Sequence, residues 1–178
     1  MQVLTAAGVD YLVTGSFVSS LQGEARLSHD IDLVVALTPA GVKALLQAFP
    51  APDYYLSEDS IREAMRRKGM FNLLCVTTDD KVDFWMLKND PFDRACFARK
   101  YPEDFEDIWL QVSTPEDTIL AKLRWAKQCG GSEKQLNDVL GVYEAQYTRL
   151  DLAYISHWVK ELGVEAFWEE VQKRAGKL

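Results

Sequence analysis

The chain has 178 residues and a formal net charge of −7, and 48% of its residues are hydrophobic while 26% are charged. This length and composition are typical of one globular domain, or of a compact core with a helical appendage. The acidic balance argues against a broad interface with nucleic acid, which usually needs a basic face. It leaves room for a small anionic ligand at one locally basic point.

The cysteines and the N-terminal sequence indicate the compartment. Cys75, Cys96 and Cys129 are odd in number, widely spaced and outside any ligand-type cluster, so we expect reduced intracellular thiols. The first residues lack the basic region and apolar core of a signal peptide. No apolar run approaches the ~20 residues of a membrane span. We therefore predict a cytoplasmic protein with no membrane partner.

The first part of the chain alternates helical and strand patterns. Residues 3–7 are predicted to be the end of a helix, and further helices are predicted at 16–22, 40–49, 57–68 and 89–98. The predicted strands are 10–14, 30–35, 54–56, 70–76, 81–87 and 108–112. Residues 24–29 and 101–107 are predicted to be polar loops. The turn-rich segment Thr77–Asp80 joins two apolar runs, which predicts an antiparallel hairpin.

The pattern changes at Thr114, where a helix-capping residue precedes a proline and two acids. Helices are predicted at 115–128, 133–146, 151–162 and 164–174. The fold class is therefore α/β (α+β): a mixed sheet flanked by helices in residues 1–112, followed by a C-terminal helical bundle in residues 113–178 that packs on that core. The five tryptophans are predicted to serve core and inter-helix packing.

Three aspartates indicate a metal site. Asp30 and Asp32 alternate with apolar residues on one predicted strand, so their side chains share a face. Asp83 has the same setting on a later strand that we expect to lie beside it. Three convergent carboxylates suit one or two Mg²⁺ ions, with Mn²⁺ as an alternative. The competing interpretation is a charged edge strand, but the apolar neighbours favour a central one.

These residues also form an ordered pattern. Gly15-Ser16, the segment from Arg26 through Asp30 to Asp32, and Val82-Asp83-Phe84 resemble the nucleotidyltransferase superfamily typified by polymerase beta. The spacing of the second segment is similar to that of abortive-infection-type nucleotidyltransferase toxins. Two later segments match these toxins as well: Ser113 to Leu123, which contains Lys122, and Ser132 to Leu140, which contains Asp138.

The resemblance implies a role for each matched residue. Asp30 and Asp32 would bind both metals, and Asp83 would complete the metal site and help to deprotonate the attacking hydroxyl. Ser16 and Lys122 would contact the nucleotide phosphates. The nucleotide-binding positions implied in this way are Gly15, Ser16, Arg26, Lys122 and Asp138, of which Arg26 and Asp138 have supporting roles.

The pattern departs from the toxins in two places. The turn is Gly-Ser where they often have Gly-Gly, and Lys134-Gln135 stands where an arginine is expected. From the residues alone, Gly15-Ser16 could equally be a simple turn and helix cap, and Lys122 a solvated side chain.

The resemblance predicts Mg²⁺-dependent transfer of a nucleoside monophosphate from an NTP to a hydroxyl of a protein, RNA or small molecule, with a cognate antitoxin as a candidate partner. One alternative is a nucleotidyltransferase-like module that binds or regulates a partner without catalysis. Another is a metal-dependent hydrolase, although a histidine-rich ligand set is lacking.

Overall fold

The structure is a computed structural model that describes residues 1–24 and 30–176. Its strands are β1 (Tyr11–Thr14), β2 (Asp30–Val35), β3 (Tyr54–Tyr55), β4 (Met70–Cys75), β5 (Lys81–Met86), β6 (Tyr101–Phe105) and β7 (Ile108–Val112). Its α-helices are α1 (Gln2–Ala6), α2 (Gly15–Gln22), α3 (Pro39–Ala48), α4 (Glu58–Arg67), α5 (Pro91–Arg99), α6 (Pro115–Gln128), α7 (Glu133–Gln146), α8 (Leu152–Leu162) and α9 (Glu165–Ala175).

Within the described residues the strands form one mixed sheet in the order β3-β4-β5-β2-β1-β7-β6. The pairs β1–β2, β3–β4, β4–β5 and β6–β7 are antiparallel, and the pairs β2–β5 and β1–β7 are parallel. The predicted hairpin is therefore confirmed as β4–β5. The strand of Asp30 and Asp32 lies in the interior of the sheet, so the edge-strand interpretation is wrong.

The predicted loop at 101–107 is wrong over most of its length, because residues 101–105 form β6 and pair with β7. Pro102 and the acidic residues of this segment suggested a loop. β6 is the last strand of the sheet, and an edge strand tolerates proline and charge because one side of its backbone needs no partner strand. Glu106 and Asp107, both at positive φ, make the turn into β7.

One face of the sheet is apolar and buried. Leu33 on β2 lies beside Phe84 on β5, which is paired in turn with Phe71 on β4. The two phenylalanine rings are parallel, with centroids 4.7 Å apart. Helix α4, which has fully buried Ile61, packs against β4 and β5. Since side chains alternate along a strand, the opposite face takes the polar residues of the same strands.

The chain divides into two compact units. Of the described residues, 1–14 and 30–112 form one, which we call the sheet unit, and 15–24 and 113–176 form the other, the helical unit. The predicted division at residue 112 assigned α2 to the core of the sheet, whereas in the structure α2 groups with the C-terminal helices.

Within the helical unit, α6 and α7 pack against each other and both contact α2. A Cβ atom on Gly23 would lie only 2.8 Å from the backbone of Gly141 and Val142, so the chain after α2 approaches α7 more closely than any larger residue would allow. The interior is aliphatic, with Ile119, Leu123 and their neighbours fully buried. No helix in the described part of the chain is long and apolar enough to cross a membrane.

The tryptophans occupy different environments. Trp168 is buried in the helical unit and makes an edge-to-face contact with Tyr143, as predicted for a packing residue. Trp109 is 66% exposed and Trp125 is 46% exposed, so the packing prediction is wrong for these two. Their surroundings follow from long-range pairing, which the local sequence does not reveal.

Candidate functional site

Asp30, Asp32 and Asp83, which we call the acidic cluster, share one face of two neighbouring strands in the sheet unit. In the parallel register of β2 and β5, Asp32 lies opposite Asp83, and Asp30 lies opposite Lys81. Asp30 is exposed, Asp32 is half-buried, and Asp83 is only 8% exposed. The structure thus places the three predicted carboxylates on the same face of the sheet, as strand alternation requires.

Each carboxylate of the acidic cluster has a polar neighbour on the strands. Asn72 Nδ2 donates to Asp83 Oδ1 at 2.5 Å, and Trp85 Nε1 donates to Asp32 Oδ1 at 3.1 Å. Lys81 Nζ lies 2.9 Å from Asp83 Oδ2 and 3.4 Å from Asp30 Oδ2. These contacts supply partners for both oxygens of the Asp83 carboxylate near the interior, because a buried polar group needs hydrogen bonds.

The pKa of Lys81 is raised above its ordinary value, chiefly by the hydrogen bond to Asp83 and further by the charges of Asp83 and Asp30. Desolvation acts in the opposite direction and is outweighed. Lys81 is therefore a full positive charge at neutral pH, held between two carboxylates.

The donor chemistry of the acidic cluster fits a divalent cation, since Mg²⁺ prefers hard carboxylate oxygens. The side chains, however, do not converge on one point. Among the described residues, no three acidic, histidine or cysteine side chains form a group that could hold a metal ion. Lys81 supplies the positive charge between Asp30 and Asp83 in this arrangement, and a metal would need these carboxylates to turn toward it.

Lys81, Asn72 and the hydrogen bond from Trp85 were not predicted from the sequence. The signal for two of them was present: in Lys81-Val82-Asp83-Phe84-Trp85 every second residue shares the face of Asp83. Asn72 belongs to the other strand of the hairpin, and only the register Asn72–Asp83 reveals it as a neighbour.

A second set of predicted residues meets within the helical unit. Lys122 Nζ on α6 donates to Asp138 Oδ2 on α7 at 2.6 Å and to Ser16 Oγ on α2 at 3.3 Å. The side chains of Lys122 and Asp138 are only 7% and 8% exposed, and we call them the buried pair. An ammonium group in such surroundings requires an anionic partner, so the pair excludes the interpretation of Lys122 as a solvated side chain.

The other predicted nucleotide-binding positions are Gly15 and Arg26. Gly15 follows directly after β1 and has φ +77°, a conformation that residues with a side chain rarely adopt. The preceding Thr14 is paired with Asp32 across β1 and β2. Arg26 lies outside the described residues.

No protein-family model matches the sequence, and neither does any curated protein sequence. Solved structures do match. A nucleotidyltransferase-like antigenic protein from Paracoccidioides brasiliensis is 18% identical, with a TM-score of 0.50, over 79% of this chain and 69% of that one. The antibiotic-resistance factor ANT(2'')-Ia is 10% identical, also with a TM-score of 0.50, over 97% of this chain and 92% of that one.

The chain thus has a nucleotidyltransferase-like fold. The predicted fold class is confirmed: a mixed sheet flanked by helices, with further helices toward the C-terminus. At these identities the likeness establishes the architecture alone, and the chemistry has to be argued from the residues.

Proposed function

We propose that the protein is a divalent-metal-dependent nucleotidyltransferase that moves a nucleoside monophosphate from an NTP to an acceptor hydroxyl. The observation that carries the proposal is the shared face of Asp30, Asp32 and Asp83 on paired strands in the interior of a nucleotidyltransferase-like sheet. Three carboxylates on one face of paired strands repel one another, and a bound cation would offset that repulsion.

In the proposed reaction an acceptor oxygen forms a bond to the α-phosphorus, the bond from that phosphorus to the bridging oxygen of the β-phosphate breaks, and pyrophosphate leaves. Asp83 takes the hydroxyl proton, and Asn72 orients its carboxylate through Oδ1. Asp30, Asp32 and Asp83 would hold Mg²⁺, or Mn²⁺ in its place, and Trp85 orients Asp32. Bound there, the ion would stabilise the charge on the attacking and leaving oxygens.

In the helical unit, contacts with nucleotide phosphate are proposed for Ser16 and Lys122, on the basis of the family resemblance. Lys122 already donates to Asp138, so a phosphate would accept from another N–H of the same ammonium. Arg26 is proposed to support nucleotide binding, as the family resemblance implies.

The acceptor is proposed to be a hydroxyl of a protein, an RNA or a small molecule. Hydroxylated antibiotics belong among the compounds to test, because one structurally similar protein is an antibiotic-resistance factor. A protein acceptor and a cognate antitoxin extend the resemblance to abortive-infection-type toxins, and affinity capture with the purified protein tests for an antitoxin.

The experiment is to incubate the protein with each α-labelled NTP, Mg²⁺, a cell extract and a panel of hydroxylated antibiotics, and to identify what becomes labelled. Asp32→Asn should abolish labelling because it removes a metal-binding charge. Asp83→Asn should slow labelling about 10²- to 10⁴-fold, the range for loss of a proton acceptor.

The matched control is Asp104→Asn, which removes one exposed carboxylate from β6 of the same unit and should leave labelling unchanged. Circular dichroism and thermal melting show whether each variant is folded. Labelling that persists in both folded variants of the acidic cluster would refute the proposal.

A second candidate is a binding module with this fold and without catalysis. The position of Lys81 favours it, because the ammonium already neutralises part of the acidic cluster. Calorimetry separates the two functions: the enzyme must bind NTP in the presence of Mg²⁺, whereas a partner module need not.

A further inference from the structure

We infer that Lys81 is an internal counter-ion of the acidic cluster. A divalent cation must displace the Lys81 ammonium before it can bind. The inference rests on the metal site of the proposed function and concerns a residue outside the family pattern. It predicts that the protein binds metal more weakly than its three carboxylates alone would.

The contacts of Asp83 carry the argument. Its Oδ1 accepts the hydrogen bond from Asn72, and its Oδ2 lies 2.9 Å from Lys81 Nζ. Both oxygens are therefore engaged. Because Asn72 comes from the paired strand and has a short side chain, its bond is fixed by the register. The oxygen that can be made available to a cation is the one that Lys81 holds.

The second contact of Lys81 ties the same ammonium to Asp30 Oδ2 at 3.4 Å. One positive charge thus bridges two of the three carboxylates. A divalent cation that bound these oxygens would stand near the present position of the ammonium, and two cations cannot share it because like charges repel strongly at contact distance.

The exposure of the groups explains how Lys81 can leave. The side chain of Lys81 is 30% exposed and that of Asp30 is 55% exposed, so water reaches the bridge from that side, although the side chain of Asp83 is only 12% exposed. Partly exposed ion pairs are weak, and lysine has a flexible stem that can carry its ammonium into solvent. The bridge therefore lowers repulsion within the acidic cluster when no metal is bound, and it can open when a metal arrives.

The test is calorimetric titration of MgCl₂ alone into the wild-type protein and into Lys81→Gln, with Mn²⁺ binding measured by electron paramagnetic resonance in parallel. Removing the competing ammonium should tighten Mg²⁺ binding about fivefold, which corresponds to about 1 kcal/mol. Lys81→Arg, which keeps the charge, should not tighten it.

Two controls locate the effect. Lys43→Gln removes the same charge from an exposed position on α3 and should bind Mg²⁺ as the wild type does. Adding Asp32→Asn to Lys81→Gln should abolish the tightened binding, because the ion is then deprived of a ligand.

Equal or weaker binding in Lys81→Gln would overturn the inference, as would an equal gain in Lys43→Gln. The result of the metal titration can be distinguished from the result of the labelling experiment. Tighter binding without any labelling would support the counter-ion role and refute the transferase, whereas labelling without tighter binding would do the reverse.

Discussion

The two units of the molecule each pair a lysine with an aspartate, in contrasting surroundings. In the helical unit Lys122 and Asp138 are 7% and 8% exposed and meet at 2.6 Å. In the sheet unit Lys81 is 30% exposed and divides its contacts between Asp83 and Asp30. The same two functional groups therefore make a fixed contact in one unit and an exchangeable one in the other.

The difference follows from solvation. A charge that water cannot reach has lost several kcal/mol of hydration, and its partner compensates for that loss. Neither member of a buried pair therefore separates readily. A partly exposed pair exchanges each lost contact for water, and its net contribution to stability is about 0–1 kcal/mol. The buried pair thus suits a positioning task, and the pair at Lys81 suits a site whose occupant changes.

The largest expected effect is on the buried pair. Lys122→Met leaves Asp138 buried beside an apolar side chain and should lower the free energy of unfolding by about 3–5 kcal/mol. Urea denaturation followed by circular dichroism measures the loss. A loss below about 1 kcal/mol would contradict the contrast between the two units, because it is the value expected of an exposed pair.

A double variant gives the matched control for that measurement. In Lys122→Met/Asp138→Leu no charge remains uncompensated, so much of the lost stability should return. A double variant that is less stable than Lys122→Met would indicate that Asp138 stabilises the unit through contacts other than the pair.

A much smaller effect on stability is expected for the partly exposed contacts of Lys81. Lys81→Gln, measured in the same urea experiment with a chelator present, should cost less than about 1 kcal/mol, because water reaches Asp30 and the Asn72 amide still donates to Asp83. Lys43→Gln corrects for the change in net charge. A loss above about 2 kcal/mol would mean that the Lys81 bridge is as fixed as the buried pair.

The smallest effect on stability, and a clear one on reactivity, is expected at Cys75 in the sheet unit. Hydrogen bonds from the Thr77 hydroxyl first, then from the Thr78 hydroxyl and from the backbone of both residues, lower the pKa of Cys75 to about 7. The thiolate therefore predominates above that pH. Alkylation by iodoacetamide should rise with pH with a midpoint near 7, as measured by peptide mass spectrometry.

Two comparisons sharpen the thiol prediction. Thr77→Val removes the strongest of these hydrogen bonds and should move the midpoint upward, toward the ~8.5 of an ordinary thiol. Cys96 is buried and should remain unmodified in the native protein. A wild-type midpoint near 8.5 would contradict the hydrogen-bonded arrangement at Cys75.

Strand alternation made the acidic cluster predictable. Asp32 and Asp83 each lie between apolar residues and Asp30 directly precedes one, and period-two patterns assign Asp30 and Asp32 to one face without any knowledge of the fold. The strand of Asp83 was expected to lie beside that of Asp30 and Asp32, and the pairing of β2 with β5 confirms it. Lys81 obeys the same alternation, but its contacts depend on where a long, flexible side chain turns, and sequence does not encode that locally.

The remaining differences come from long-range packing. β6 carries a proline and acids and becomes a strand only because β7 pairs with it at the edge of the sheet. Helix α2 is short, and its eight residues show nothing of whether they pack with the sheet or with helices that follow about 90 residues later. Such assignments are decided by tertiary contacts that no local pattern reports.

The membership of α2 in the helical unit has a consequence for synthesis of the chain. Gln22 Nε2 donates to the carbonyl of Ser113, which is made 91 residues later. At about 5–20 residues per second, α2 waits on the order of 5–20 s for this partner. During that interval α2, whose Val18 is fully buried in the finished protein, lacks its contacts with α6 and α7. The nascent chain therefore carries α2 without its packing partners until α6 and α7 have been made.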